Sequence, residues 1–477
     1  MNANATTGSL PAGSHYAITW GIPDSYAGMT NSMLHRSRAF IELTGAEVTI
    51  VTYEFREDYD VVRARLRERG ALVDGLHLIN LWEDLRSWDD SRLLAAKASF
   101  SLGAESTFAP LNDRGDQAHP LRNTLKDADG TILQVDYFRE DGTLFGSDRR
   151  DVPGPKSRAF TLCDSQGQPI GTWDKIWDLY WFWLDSLPRD PIAWMIVDSK
   201  TSANHLVDYR RDDVVTLHVV HGSHLEQGTG RPHGTLTASR KRSLERIDKW
   251  DGIVFLTQHQ LDDVEALMGK GPHRYVIPHG RHVPATAPDL DRSPLRGVML
   301  SSLTERKRIS HAIKAVARAG RARRRRPELD VFGQGPREEL LTKLINRIGA
   351  PVRLRGYSTD ADREFGTASF SLLTSSHEAF GLVLVESMAH GCIPISYDMP
   401  YGPADIITHG VDGYLVPSGD IKRMARAIRK VTRAKPAQLA AMREAAHRRA
   451  LEFNDEHVTE RWARTMNEVL ATKQGSA

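Results

Sequence analysis

The sequence predicts an α/β protein made of two doubly wound parallel sheets facing one cleft. Three observations carry this reading. Short apolar runs alternate with helix-period segments in both halves of the 477-residue chain. A stretch rich in Pro, Gly, His and Asp around residues 278–294 separates the halves, and a new apolar strand follows it. The length fits two to four domains at roughly 100–200 residues each, so one small module is excluded.

Residues 1–14 are small and polar, with no basic segment leading into an apolar run, and read as a disordered tail rather than an export signal. Residues 15–290 form the first domain. It opens with a strand at 17–22, a loop at 23–31 and a helix whose Met33, Leu34, Phe40 and Ile41 share a face. Thr30 or Asn31 can cap that helix, and Gly45 ends it before a strand at 48–52. Turn signals at Asp129-Gly130, Asp141-Gly142 and Gly167 divide short β runs between 127 and 172, which reads as an antiparallel insertion within about 100–172. Strands at 214–220, 252–256 and 275–277, with a helix at 260–268, close the domain. Residues 291–477 form the second, with strands at 297–301, 329–332, 352–355, 370–374, 393–397 and 413–416. Its closing segment, 420–473, is helical, with Trp462, Met466 and Leu470 at intervals of four.

Composition narrows the function classes. Hydrophobic residues make up 40% and charged residues 26%, which excludes wholesale disorder. The 63 Lys and Arg nearly cancel the 61 Asp and Glu, so no global charge argues for nucleic acid as a partner. The two cysteines, Cys163 and Cys392, make neither a CxxC pair nor a disulfide framework, which fits a reducing cytosol. No run approaches the roughly 18–20 apolar residues of a spanning helix, so the expected location is cytoplasmic, with at most peripheral contact at the inner membrane face. GxGxxG, GxxxxGK[ST] and GxSxG are all missing, leaving little support for nicotinamide, P-loop or serine esterase chemistry.

The most informative stretch is Ser375-Ser376-His377-Glu378-Ala379-Phe380-Gly381-Leu382-Val383-Leu384-Val385-Glu386-Ser387-Met388-Ala389-His390-Gly391. A strand ends, a loop carries a carboxylate, and a helix opens near Gly381, offering free N–H groups and a positive dipole end to a phosphate. Glu378 lies just before that helix and Glu386 about a turn and a half inside it, so both can face one cleft. The plainer reading, of equal weight from these residues alone, is an amphipathic helix with a capping glutamate.

This Glu-x7-Glu element with its internal Phe-Gly-Leu, followed by Gly-Cys-Ile-Pro-Ile and Asp-Gly-Tyr-Leu-Val, resembles retaining nucleotide-sugar glycosyltransferases of family 4. Tyr26-Ala27-Gly28-Met29-Thr30, the β insertion, His221-Gly222-Ser223-His224 and Tyr401-Gly402-Pro403 narrow the resemblance. They look like the branch of teichoic-acid α-glycosyltransferases and of glycosyltransferases for serine-rich adhesins. The resemblance implies a GT-B fold of two Rossmann-like domains, 15–290 on the acceptor side and 291–477 binding the nucleotide sugar. It implies that Glu378 accepts hydrogen bonds from the donor hexose and Glu386 from the ribose, with backbone from Ala379, Phe380, Gly381 and Leu382 near sugar and phosphates. Gly28 and Thr30 would face diphosphate or acceptor, with Ala27 replacing the loop's usual first glycine. His221 or His224 would approach the donor sugar. Gly333, Gly335 and Tyr357 match loops that approach the nucleotide.

One departure stands out. The family carries Arg-x4-Lys after the first strand of the second domain; here Lys307 matches the lysine, but Ser302 occupies the arginine position, leaving Arg306 or Arg308 to compensate. The activity implied is transfer of a hexose or N-acetylhexosamine from a UDP-sugar to an acceptor hydroxyl, with retention, without a metal or other cofactor. The acceptor is a carbohydrate, a polyol-phosphate cell-wall polymer or a small molecule. A natural-product glycosyltransferase and a non-catalytic glycosyltransferase-like partner protein are the alternatives. The oligomeric state is not legible.

Three other features have plainer readings. His218, His221 and His224 recur every three residues without a fourth ligand, so a metal site is disfavoured. Trp173, Trp177, Tyr180, Trp181, Phe182 and Trp183 read as a helix packed into a core before they read as a sugar platform. The arginine run at 321–326 fits an anionic polymer, anionic lipid or a solvated helix end.

Overall fold

The computed structural model describes residues 9–26, 28–99, 121–150, 158–226, 228–286, 292–320 and 326–475. They fall into two compact units, one of Ala12–Thr30 with Ala46–Val215, the other of Met1–Pro11, Asn31–Gly45 and Thr216–Ala477.

In the first of these, β1 (Ser14–Ile18), β2 (Val48–Thr52) and β3 (Leu76–Asn80) pair in parallel in that order. An antiparallel meander follows, β4 (Arg122–Lys126), β5 (Ile132–Phe138), β6 (Leu144–Arg149), β7 (Ala159–Cys163) and β8 (Pro169–Trp173), in chain order. It is the antiparallel insertion read from the turn signals; residues 100–120 lie outside the described residues. β9 (Ala193–Val197) then returns to pair in parallel with β1. β9 is buried throughout, as a strand covered on both faces requires.

Two local expectations are corrected here. Ser14 already belongs to β1 and Leu10 is buried, so the described part of 1–14 is ordered. The first helix begins at Met29, which places Thr30 inside its first turn rather than at its cap. Most of the aromatic cluster is core: Trp173 and, on the helix Ile176–Asp185, Tyr180, Phe182 and Trp183 are buried, the Trp183 indole donates to Asp84 Oδ2 at 2.7 Å, and Trp177 and Trp181 are half-buried. Cys163 on β7 is fully buried, and burial pushes its thiol up to about 12.

In the second unit β10 (Val214–Val220), whose first two residues belong to the other unit, pairs in parallel with β11 (Gly252–Phe255), and β11 with β12 (Arg274–Val276). A separate six-stranded parallel sheet holds β13 (Arg296–Leu300), β14 (Glu328–Phe332), β15 (Val352–Leu354), β16 (Phe370–Leu373), β17 (Ile393–Asp398) and β18 (Tyr414–Pro417). Its order is β15-β14-β13-β16-β17-β18, so the chain winds one way from β13 and the other way from β16. In such sheets the crevice beyond the carboxyl ends of the two switch-point strands takes the ligand. Val298, Phe365, Ala368 and Cys392 fill one core cluster with no exposed surface, and burial pushes the Cys392 thiol up to about 12. Helices Pro436–Leu451 and Asp455–Gly475 close the chain, with Trp462 edge-on to Phe40 at 6.1 Å between ring centroids. Residues 321–325 of the arginine run lie outside the described residues.

Candidate active site

The two loops that leave β13 and β16 are stitched together by hydrogen bonds. Thr374 Oγ1 donates to the Lys307 and Arg308 carbonyls at 2.9 and 3.1 Å, and the Ser376 N–H donates to the Arg306 carbonyl at 2.8 Å. This register delivers the cations to the carboxylate. Lys307 Nζ lies 2.6 Å from Glu378 Oε1, which also accepts from Ser375 Oγ at 2.6 Å. Arg306 Nη1 donates to Glu378 Oε2 and to the His377 carbonyl, both at 3.1 Å. Burial raises the Glu378 carboxyl, but Lys307 and Arg306 outweigh that and hold it below the usual carboxylate range. Arg306 thus places a guanidinium beside Lys307, whereas Ser302 is exposed and Arg308 turns to Ser418 Oγ at 3.3 Å.

Helix Leu382–Ala389 opens directly after this cluster. Gly381 caps it at φ +94°, a left-handed conformation that an L side chain adopts only with strain. Gly402 is equally constrained: at φ +106°, an added Cβ would overlap the Phe380 carbonyl oxygen. The 400–402 segment is locked to the glutamate loop, since the Glu378 N–H donates to the Pro400 carbonyl at 3.0 Å and the Tyr401 N–H to the Glu378 carbonyl at 2.8 Å. Ala379 and Leu382 are half-buried along the same turn, and Phe380 is buried.

Glu386 lies farther along this helix and is bound differently. Its Oε1 accepts from Arg281 Nε at 2.9 Å, while no donor among the described residues reaches Oε2. The glycine loops gather at the ends of β13 and β14. The Leu303 N–H donates to the Gln334 carbonyl at 2.9 Å between Gly333 and Gly335, and the Gly333 N–H to the Gly356 carbonyl at 2.7 Å. Tyr357, next in sequence, is 73% exposed, which leaves its ring free to stack.

The two predicted histidines diverge. His221 stacks on His279 at 5.2 Å, and His279 meets Phe380 edge-on at 5.8 Å, so an aromatic chain joins His221 to the glutamate loop. The buried Arg240 guanidinium donates to the His221 carbonyl, and Gln260 Nε2 donates to that of Gly222 at 2.8 Å. His224 is fully buried against Tyr401 at 5.9 Å, with no hydrogen-bond partner for either ring nitrogen among the described residues, and burial pushes it down to about 4. Tyr401 is fixed in turn by its hydroxyl, which donates to Asp263 Oδ2 at 2.7 Å, and by Arg231, paired with Asp263 and lying 4.7 Å over the tyrosine ring. Gly28, at φ +58°, and the buried Thr30 lie in the other unit. Among the described residues no group of three or more His, Cys, Asp or Glu suits a metal ion.

Sequence reading missed Arg281, Asp263, Arg231 and Arg240. Only Arg281 had a local signal, in Pro278-His279-Gly280-Arg281-His282 after β12.

Known proteins resemble this chain in sequence and in fold. The profile described as "Glycosyl transferases group 1" matches residues 291–449. The chain is 23% identical to the poly(glycerol-phosphate) alpha-glucosyltransferase of Bacillus subtilis (strain 168), over 97% of this chain and 76% of that protein. It is 32% identical to an exopolysaccharide phosphotransferase of Streptomyces coelicolor over 58% of this chain, spanning only 29% of that longer protein. The crystal structure of an S. aureus TarM mutant in complex with Fondaparinux, alpha-GlcNAc-glycerol and UDP superposes with a TM-score of 0.68 at 20% identity. That alignment covers 96% of this chain and 100% of the other, and the shared fold is of the GT-B type. The chain thus carries a group 1 glycosyl transferase domain at residues 291–449, and it is a glycosyltransferase.

Proposed function

We propose that the protein moves a hexose or N-acetylhexosamine from a UDP-sugar to a hydroxyl of a polyol-phosphate polymer, with retention of the anomeric configuration. The observation that carries this reading is the convergence of Lys307 and Arg306 on Glu378 at the start of helix Leu382–Ala389. Two cations and a helix N-terminus suit a diphosphate, and charge developing on a departing diphosphate is what such an array stabilises. The diphosphate competes with Glu378 for both cations. As it draws them away, the Glu378 oxygens become free to accept from the sugar hydroxyls. Glu386 Oε2 accepts from the ribose, Tyr357 lies near the base, and Gly333 and Gly335 admit the nucleotide closely.

The acceptor oxygen then attacks the anomeric carbon from the leaving-group side. The bond from that carbon to the phosphate oxygen breaks, the new glycosidic bond forms, and the diphosphate takes the acceptor's proton. No enzymic nucleophile is needed, and a metal-free reaction is expected. His221 orients the sugar, and Gly28 and Thr30 belong to the acceptor side. The domain assignment, 15–290 for acceptor and 291–477 for donor, is part of this proposal. So is a cytoplasmic location with at most peripheral membrane contact; among the described residues no helix is long and apolar enough to cross a membrane.

A second reading, a non-catalytic partner protein, rests on Ser302, which withholds the usual arginine. One experiment separates the two: thermal stabilisation and slow nucleotide release across UDP-, GDP- and dTDP-sugars, without acceptor and with or without a chelator. Stabilisation by one UDP-sugar with chelator-resistant release of UDP is the expected result, followed by transfer to a glycerol-phosphate polymer. Folded protein that binds no donor would leave the non-catalytic reading standing.

A further inference from the structure

We propose that Arg281 is a positioning residue for the nucleotide's ribose, holding Glu386 so that one of its carboxylate oxygens is aimed and vacant for the ribose diol. This rests on the reading of Glu386 as the ribose acceptor and adds a residue that the Glu-x7-Glu element does not contain.

The argument starts from what a carboxylate on a helix surface does unaided. Glu386 is 32% exposed, and a glutamate side chain of that exposure samples several rotamers, so a diol that binds it must first order it. Arg281 removes that freedom. Its guanidinium is 10% exposed and meets Glu386 through Nε alone, at 2.9 Å on Oε1. A fork-on-fork pairing would occupy both oxygens, whereas this single contact leaves Oε2 open.

Arg281 is itself anchored at two points. Its N–H donates to the Phe453 carbonyl at 3.0 Å, which pairs it in parallel with Asn454, and its Nη1 donates to the Gly280 carbonyl at 3.0 Å. The preceding Gly280 lets the chain pass close to Asp455, whose Oδ1 would lie 2.7 Å from an added Cβ. The guanidinium therefore hangs from a rigid strap where helix Pro436–Leu451 gives way to Asp455–Gly475. An arginine placed only to neutralise Glu386 needs neither of these anchors; one placed to aim it needs both.

The test uses ligand-atom deletion, which an arginine with only a structural role would not follow. UDP and 2′-deoxyuridine diphosphate are titrated calorimetrically against wild type, Glu386→Gln, Arg281→Met and the double variant. A hydrogen bond to a charged acceptor discriminates about ten- to a hundredfold, so wild type should prefer UDP by that factor. Arg281→Met should reduce the preference to about threefold or less, and Glu386→Gln in that background should lose little more, because the pair acts as one unit. If Arg281→Met does not unfold cooperatively, Arg281→Lys is read instead: it keeps the charge without the Nε geometry and should lose most of the preference.

Undiminished preference in a folded Arg281 variant, with Glu386→Gln abolishing it, would overturn this inference and leave the ribose reading intact. Equal affinity of wild type for the two nucleotides would overturn the ribose reading and this inference with it.

Discussion

Glu378→Gln separates the two demands placed on Lys307 and Arg306. Both cations are engaged by Glu378, whose side chain is 12% exposed and whose partner Lys307 is 15% exposed. That pair lies between a solvated ion pair, worth about 0–1 kcal/mol, and a fully buried one, whose unpairing costs about 3–5 kcal/mol. An intermediate value of about 1.5–2 kcal/mol follows, and on the proposed mechanism UDP overcomes it to claim the lysine. A neutral glutamine still accepts from Ser375 but releases the cations, so UDP affinity should rise about tenfold. Turnover should fall at least about a hundredfold, because the carboxylate proposed to accept from the sugar hydroxyls has lost its charge. Without ligand the variant should melt lower than wild type, and UDP should raise its melting temperature by the larger increment. Calorimetric titration with UDP and a continuous assay of UDP release give the two numbers. A tenfold weaker UDP affinity in cooperatively folding Glu378→Gln protein would refute the competition argument.

Two further outcomes are expected. His224 is held at about 4 against an unfolded value near 6.5, so below pH 6.5 the unfolded chain binds a proton that the native one refuses. Stability should fall by about 1.4 kcal/mol per pH unit between roughly 6 and 4.5 from this residue alone, and His224→Phe should flatten that limb in melts across the range. Gly402→Ala forces a Cβ into the Phe380 carbonyl at a left-handed φ; urea unfolding should register a loss of about 2–4 kcal/mol, with transfer falling as the glutamate loop shifts.

Much of the fold was legible because its strands are short, apolar and punctuated. The expected strand at 393–397 is Ile393–Asp398, and the expected helix at 260–268 is Gln258–Met268. β3 and β9 went unread: His77 interrupts the apolar run of Leu-His-Leu-Ile-Asn, although Asp74-Gly75 precedes it, and Ala-Trp-Met-Ile-Val follows close on the aromatic helix Ile176–Asp185. The glutamate loop was legible as a local pattern of carboxylate, glycine and helix start. What holds it was not. Arg281 and Glu386 are 105 residues apart and Asp263 and Tyr401 are 138 apart, so these pairs exist only once the sheets are wound. Arg306 shows the limit in a shorter span, because a gap of one residue from Lys307 says nothing about which side chain turns toward Glu378. The Thr374 and Ser376 hydrogen bonds decide that, and they come from another strand.

The two cysteines make the molecule its own pair of reporters. Cys163 lies on an antiparallel strand of one unit and Cys392 in the core cluster of the other, and neither has any exposed surface. A thiol reagent requires thiolate, and burial holds both thiols near 12, so native protein at neutral pH should be silent to it. Each label acquired therefore timestamps an opening of the unit that carries it. With one cysteine replaced by alanine at a time, the labelling clock distinguishes a ligand that steadies the unit carrying Cys392 from one that steadies the unit carrying Cys163, without any added probe.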